Sequence, residues 1–271
     1  MIAEAAGIAA AATESVKSRV LVLGGTGRTG GCVVRQLLER GVFVKALVRS
    51  AARLPEDVAG NPLLTVAEVD LFSLTGQELC RHLDGCDTVI SCLGHTPTIR
   101  GVFGPPYNLV CRMASNVVNA VGQMRPTSPV RFVLMSSVSV NRPERADTLR
   151  GHGERSLLWV LRGLMPPARD NQRVADFFAG SVEPGHGLVE WVAVRPDSLR
   201  DGGVSRYSLT EELVTSLFRS NKTNMANVAH FMCELVADDD TWRRWSGKMP
   251  VITNAEAMTA QETLAAGPLS T

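Results

Sequence analysis

Lysine is scarce in this chain: four lysines stand against 24 arginines in 271 residues, and there are two tyrosines. Lysine is a common partner in acid–base catalysis, so that chemistry has little material here. Charge of either sign is not in excess. The net charge of +1 gives no field to recruit nucleic acid or an anionic membrane, so neither is expected as a partner. No apolar run approaches the length of a membrane span. The six cysteines (32, 80, 86, 92, 111 and 233) form no Cys-x-x-Cys pair and no metal-ligand spacing with the five histidines. They fall in apolar helix and strand patterns, where a reduced thiol acts as a small hydrophobe. That excludes a disulfide framework and a metal site, and it predicts a reducing, cytoplasmic setting. Residues 1–18 lack an early basic group, which argues against a secretory signal or an Arg-rich transit peptide. They read as a tail, as do residues 256–271.

What is present is alternation. Short apolar, β-branched runs predict strands at 19–24, 42–48, 63–70, 87–94, 129–137 and 188–196. Their near-continuous hydrophobicity suits strands covered on both faces of a parallel sheet. Helical patterns lie between them at 29–40, 50–58, 74–83, 107–123 and 170–179. Strands alternating with helices imply right-handed crossovers and an α/β fold with a doubly wound parallel sheet. No repeat or linker divides residues 19–255, which read as one domain. Beyond residue 196 the pattern loosens into a strand near 204–209, a helix over 224–238 and a strand at 248–253. Residues 197–255 are expected to build a small substrate-side cap at the C-terminal strand ends, where such sheets bind ligands.

The stretch "VLVLGGTGRTGG" sets a glycine-rich turn between the first strand and the first helix. Gly24 permits the tight turn, Gly27 lets backbone N–H groups approach a pyrophosphate, and Gly30 lets helix and sheet pack closely. The helix N-terminus adds unpaired donors and partial positive charge, with Thr26 and Thr29 beside them. This predicts a dinucleotide site; the competing reading is an ordinary strand–helix turn. An NAD site usually has an acid at the end of the second strand for the ribose 2′-hydroxyl. Here that strand reads "VKALVRS" and ends at Arg49, with no acid before Glu56. Arg28 and Arg49 are suited to a 2′-phosphate, so NADP(H) is the expected cofactor. Asp70, ending the third strand, is expected to face the adenine or else to cap the next helix. Leu71 and Leu93 line the same groove.

The motifs "GGTGRTG", "DTVISCLG", "FVLMSS" and "VAVRP" resemble the short-chain dehydrogenase/reductase superfamily, in its atypical NAD(P)H-binding branch, over about residues 19–255. "MPPARDNQRVADFF" and, beyond it, "VEWVAVRPDSL" are similar to the biliverdin reductase B/flavin reductase group and to NmrA-like proteins. The resemblance implies a Rossmann sheet with the nicotinamide near Gly94, Ser136 and Ser137. It also implies a Tyr-x-x-x-Lys pair, and none exists in this sequence: Cys111 lies four residues beyond Tyr107, and Glu211 four beyond Tyr207. A serine matching Ser137 carries over from the flavin-reductase group. That group's histidine after an acid does not, because Asn171 comes directly after Asp170.

That gap separates two chemistries. Ketone reduction makes an alkoxide that needs a well-tuned acid. A quinone, flavin or enone spreads the incoming charge over a π system and can take its proton later from water. Such a reaction needs positioning and hydrogen bonds, which Ser137 and Asn171 are placed to give. The favoured reading is an NADPH-dependent reductase of a conjugated small molecule, acting as a monomer or homodimer. The alternatives are an NmrA-like NADP(H) sensor without turnover, or an epimerase or lyase. His95, just after the fourth strand, is a candidate proton donor or a solvated loop histidine. The segment 138–168, with His152 inside it, reads as a lid or helix over the site or as a solvated surface insertion. Trp242 and Trp245 are expected to anchor a C-terminal turn, Asp238–Asp240 to end a helix, and Cys92 to be a buried inert thiol.

Overall fold

Each of the six apolar runs becomes a strand: β1 (Arg19–Leu23), β2 (Phe43–Val48), β3 (Leu64–Glu68), β4 (Thr88–Ser91), β5 (Val130–Met135) and β6 (Val189–Pro196). The computed structural model describes residues 18–95, 104–105, 107–143, 147, 149–182, 187–214, 216 and 221–255. Later come β7 (Ser198–Arg200), β8 (Tyr207–Thr210), β9 (Lys222–Asn224) and β10 (Val251–Asn254). The main sheet has eight strands in the order β3-β2-β1-β4-β5-β6-β10-β8, parallel except for the edge strand β8. Strand order reverses between β1 and β4, which opens a crevice at their C-terminal ends.

Alternation along the strands feeds two cores. Leu21 and Leu23 point into one apolar layer, Val20 and Val22 into the other. Helix α1 (Arg28–Glu39) covers the Val20 side, together with α6 (Met225–Ala237) and α7 (Asp239–Trp245). The Leu21 side is covered by α2 (Gly76–Leu83), α3 (Leu109–Met124) and α5 (Pro166–Ser181). Phe178 of α5 sits between Phe132 and Trp191, with ring centroids 5.0 and 5.6 Å away. The pattern at 50–58 forms two 3₁₀ turns, Ala51–Arg53 and Glu56–Val58, in place of a helix. Pro55 between them lacks the N–H that a continuous helix would need.

The segment 197–255 divides between two roles, so the expected cap is narrower than its sequence suggested. Ten residues of α6 are buried. A helix that is apolar nearly all round must be sandwiched, and α6 lies against α1, where Gln36 Nε2 donates to the Ala226 carbonyl at 3.1 Å. β10 and β8 widen the sheet, while the β7–β9 ribbon stays at the C-terminal end of β6. The aspartates at 238–240 open a helix as well as ending one. Asp238 caps α7 by accepting from the Asp240 and Thr241 N–H groups, Asp239 pairs with Arg131 at 2.5 Å, and Asp240 pairs with Arg243. Trp242 and Trp245 are buried in the second core, so they anchor this turn of chain.

The long segment after β5 takes the helical alternative. It folds into α4 (His152–Leu164), whose Glu154 and Leu158 turn inward. Before it, Asp147 is buried among guanidinium groups: Arg195 Nη1 at 3.1 Å, Arg142 Nε at 3.2 Å and Arg150 Nε at 3.9 Å. Arg195 is fully buried and also donates to the carbonyls of Met249 (2.9 Å), Glu211 (3.0 Å) and Val140 (3.3 Å). Burial pushes its pKa down, and Asp147 works against that shift. Removing one partner of a buried ion pair costs about 3–5 kcal/mol, because the other charge is left uncompensated. Asp147→Ala is therefore expected to lower unfolding free energy by about that amount in equilibrium urea titration. A loss below about 1 kcal/mol would show that Arg195 is held by its carbonyls alone.

Candidate functional site

At the reversal of strand order the β1–α1 turn lies directly on the end of β4. Gly24 has φ +79°, a conformation open to glycine, and a Cβ there would fall 2.8 Å from the Cys92 carbonyl carbon. A Cβ at Gly30 would fall 2.1 Å from the Gly24 carbonyl oxygen. The Gly27 N–H donates to that same oxygen at 3.0 Å and closes the turn. The first turn of α1 carries no acid and its N-cap, Gly27, makes no side-chain cap. Gly27 and Arg28 are exposed there, Thr26 is half-buried and Thr29 is buried. Unpaired N–H groups at the positive end of a helix, with no carboxylate in the way, suit a phosphate.

The neighbouring residues divide. Arg49 is exposed at the end of β2 and makes no hydrogen bond or ion pair among the described residues. Arg28 pairs with Asp201 at 2.6 Å, an acid that no motif in the sequence marks, and the contact raises the arginine's pKa. Asp70 Oδ1 accepts from the Phe72 N–H at 3.1 Å and so closes the turn after β3. It does not cap the helix: α2 is capped by Thr75 and Glu78, each accepting from the other's backbone N–H. The Leu71 side chain lies in the core, and Leu93 is half-buried against it. Gly94 is exposed, with open space where a Cβ would stand.

The end of β5 carries the two serines. The Ser136 N–H donates to the Val194 carbonyl at 2.7 Å, while its buried Oγ has no partner. Ser137 Oγ lies 3.1 Å from Ser139 Oγ and accepts from the Ser139 N–H at 3.2 Å, forming a local turn. Both serines sit at the C-terminal edge of the sheet, directly after β5. The buried Ser136 hydroxyl without a partner among the described residues, and the uncapped N–H groups of α1, are features a bound dinucleotide accounts for.

His95 corrects the solvated-loop alternative. Its side chain is 5% exposed, and Nε2 lies 3.1 Å from Oδ2 of fully buried Asp170. The Asp170 carboxylate also accepts from the Val110 N–H at 2.8 Å and the Cys111 N–H at 3.1 Å, at the start of α3. Both carboxylate oxygens accept from backbone N–H groups, and Nε2 of the ring adjoins Oδ2. Thus a histidine from the end of β4 reaches the acid that stands directly before Asn171. Asn171 itself is half-buried on α5. Of the tyrosines, Tyr107 is exposed and Tyr207 Oη lies 3.0 Å from His230 Nδ1; neither meets a lysine. Cys92 is the inert thiol expected, its pKa driven up by burial. Burial also raises Cys86 to about 11 and Cys233 to about 12.

Residues 24–239 match a family described as NAD(P)H-binding. An uncharacterized chloroplastic protein of Arabidopsis thaliana is 33% identical over 135 residues, which are 48% of this chain and 45% of that protein. The chain thus spans under half the length of that curated relative. Among solved structures, the oxidoreductase ylbE of Lactococcus lactis is similar at 18% identity and TM-score 0.64, over 91% of this chain and 95% of that one. A candidate NADH-flavin reductase from Streptococcus pneumoniae matches at 19% and 0.58, over 88% and 100%. A short-chain dehydrogenase/reductase from Veillonella parvula, crystallised with NADP, matches at 12% and 0.62, over 89% and 97%. At these identities the structural likeness is one of fold.

Two measurements check this geometry. Gly30→Ala forces the turn open and is expected to weaken NADPH binding at least about tenfold in fluorescence titration, with the circular dichroism spectrum unchanged. Wild-type affinity in that variant would place the nucleotide elsewhere. In the native protein at neutral pH, Cys86, Cys92 and Cys233 are expected to stay silent to a thiol reagent until denaturant is added, as mass mapping of the labelled sites will show.

Proposed function

The chain belongs to the NAD(P)H-binding family, and from that premise we propose that it is an NADPH-dependent reductase of conjugated small molecules such as quinones, flavins or enones. One observation supports the reading: the ends of the neighbouring strands β4 and β5 are followed by a carboxylate-held histidine and by two serines, and the sequence has no Tyr-x-x-x-Lys pair. The turn from Gly24 to Gly30 would hold the dinucleotide's pyrophosphate, with Thr26 and Thr29 beside it. Gly94 with Ser136 would adjoin the nicotinamide, which supplies a hydride when bound. Arg49, and Arg28 once released from Asp201, would clasp the 2′-phosphate; guanidinium groups match that dianion better than a ribose hydroxyl.

The chain's own groups then need only place the acceptor and receive developing charge. The Ser137 hydroxyl and the Asn171 amide are the donors proposed for the acceptor oxygen. A well-aimed donor of this kind contributes about 2.7–4 kcal/mol to a transition state. His95 is proposed as a proton source for the reduced product, its ring held against Asp170 through Nε2. Because the acceptor's π system stores the charge, this proton transfer need not be simultaneous with reduction. A second reading, an NADP(H) sensor without turnover, draws support from the Ser137 hydroxyl being already engaged by Ser139.

One assay decides between them. The purified protein is mixed with NADPH and a panel of quinones, flavins and enones, and loss of nicotinamide absorbance is monitored. Turnover on at least one acceptor is expected; tight binding with no turnover on any would favour the sensor. Replacing both Arg28 and Arg49 by alanine is expected to raise KM for NADPH at least about tenfold while leaving that for NADH unchanged. An unaltered NADPH/NADH preference would overturn the 2′-phosphate assignment.

A further inference from the structure

Exposed large hydrophobic side chains are concentrated in one place. Leu149, Leu157, Trp159, Val160 and Leu164 lie within sixteen residues, on or just before α4, and account for five of the eleven found among the described residues. Trp159 is 76% exposed and Leu164 68%. Isolated exposed apolar residues need no explanation, but a contiguous set does. On α4 three of them line one stripe, with Trp159 about 100° round the helix from Val160. Glu154 and Leu158 face the protein, while Leu157, Val160 and Leu164 recur at i, i+3 and i+7 on the outer side.

The charge around this face has one sign. Between residues 149 and 169 the exposed charged side chains are Arg155 and Arg169; Arg150 and the single acid, Glu154, are buried, and half-buried Arg162 donates to the Ser139 carbonyl. Arg155 is exposed on the first half of the helix. Arg169 donates to the carbonyls of Arg162 (3.1 Å) and Gly163 (2.6 Å), and so holds a cation at the helix end beside Leu164. We infer that the outer face of α4 is a docking surface for an anionic lipid bilayer, with Trp159, Leu157, Val160 and Leu164 in the headgroup region and Arg155 and Arg169 on lipid phosphates.

Size and charge both favour lipid over a second copy of the chain. Thirteen residues make a helix about 20 Å long and about 10 Å wide. Its exposed face is well short of the roughly 800 Å² per partner of a stable dimer. Two copies would also bring Arg155 and Arg169 together with no exposed acid on the face to receive them. A bilayer needs no complementary shape: tryptophan and leucine insert at the interface, and basic groups gain from anionic lipid. The contact is peripheral, since no described helix is long and apolar enough to cross a membrane. A net charge of +1 over the whole chain points away from a membrane partner; that sum conceals the local excess on 149–169.

The test is flotation of the full chain with phosphatidylcholine vesicles, with and without phosphatidylglycerol, at low salt. Binding is expected at least about tenfold tighter on the anionic vesicles. Brominated lipid is expected to quench tryptophan emission, which reports Trp159 because Trp191, Trp242 and Trp245 are buried. Trp159→Ser combined with Leu164→Ser is expected to cut binding at least about tenfold with an unchanged thermal midpoint, both side chains being exposed. The inference is overturned if the wild type does not float, if the double variant floats as well as the wild type, or if brominated lipid leaves emission untouched. It is equally overturned if the wild type is a dimer that the double variant dissociates.

Discussion

Where the order of strands reverses, the β1–α1 turn has to rest on the end of β4 with no side chain between them. The Gly24 carbonyl oxygen stands 2.1 Å from where a Cβ on Gly30 would be, so helix α1 can begin where it does only because that atom is missing. This close approach has several consequences. It fixes the start of α1 over the crevice, leaves its first N–H groups uncapped, and seals Cys92 behind the turn. The crevice is thus a product of backbone packing. The polar side chains around it are arranged on a frame that glycine makes possible.

Two buried carboxylates organise the surroundings of that frame, and they act differently. Asp170 joins three elements at one point: it belongs to α5, accepts from the first N–H groups of α3, and holds His95 from the end of β4. The orphan donors of one helix are met by a residue of another. Asp147 instead draws guanidinium groups inward, and the chain from β5 to α4 closes around it. Neither acid could be replaced by an apolar group without leaving buried donors unpaired.

The sheet is legible in the sequence because its strands are apolar on both faces and bounded by turn residues, a pattern that depends on neighbours in the chain. The glycine turn is legible for the same reason: strand, turn and helix are consecutive. Pairing at long range leaves no such signal. Asp170 stands out in the sequence only through its neighbour Asn171, whereas its partner His95 lies 75 residues earlier. Position alone suggests a ligand for Arg28, and its contact with Asp201 spans 173 residues. Asp70 is open to two readings, yet the local signal of Thr75 and Glu78, three residues apart, is the one that marks the cap. A helix is among the readings of the segment that holds α4, but the inward direction of Arg150 and Arg162 depends on Asp147 and on the turn after β5, far along the chain or outside the helix. The loosened C-terminal pattern suggests a cap, yet α6 is apolar on all sides and belongs between other elements.

The shortage of lysine in the chain has a structural counterpart. Beyond β5 the backbone leaves regular structure, and its carbonyls need donors. Arginine supplies them repeatedly: Arg195 to Val140, Glu211 and Met249, Arg150 to Val138, Arg162 to Ser139, Arg169 to Arg162 and Gly163. A guanidinium carries five N–H donors in a rigid plane and can hold several carbonyls at once, whereas an ammonium is a point charge on a flexible stem. This use of arginine also connects the outer helix to the crevice. Arg162 lies on α4, and its contact with the Ser139 carbonyl fastens that helix to the turn in which Ser137 Oγ is held. Through this hydrogen bond the outer helix and the turn that holds Ser137 share a contact.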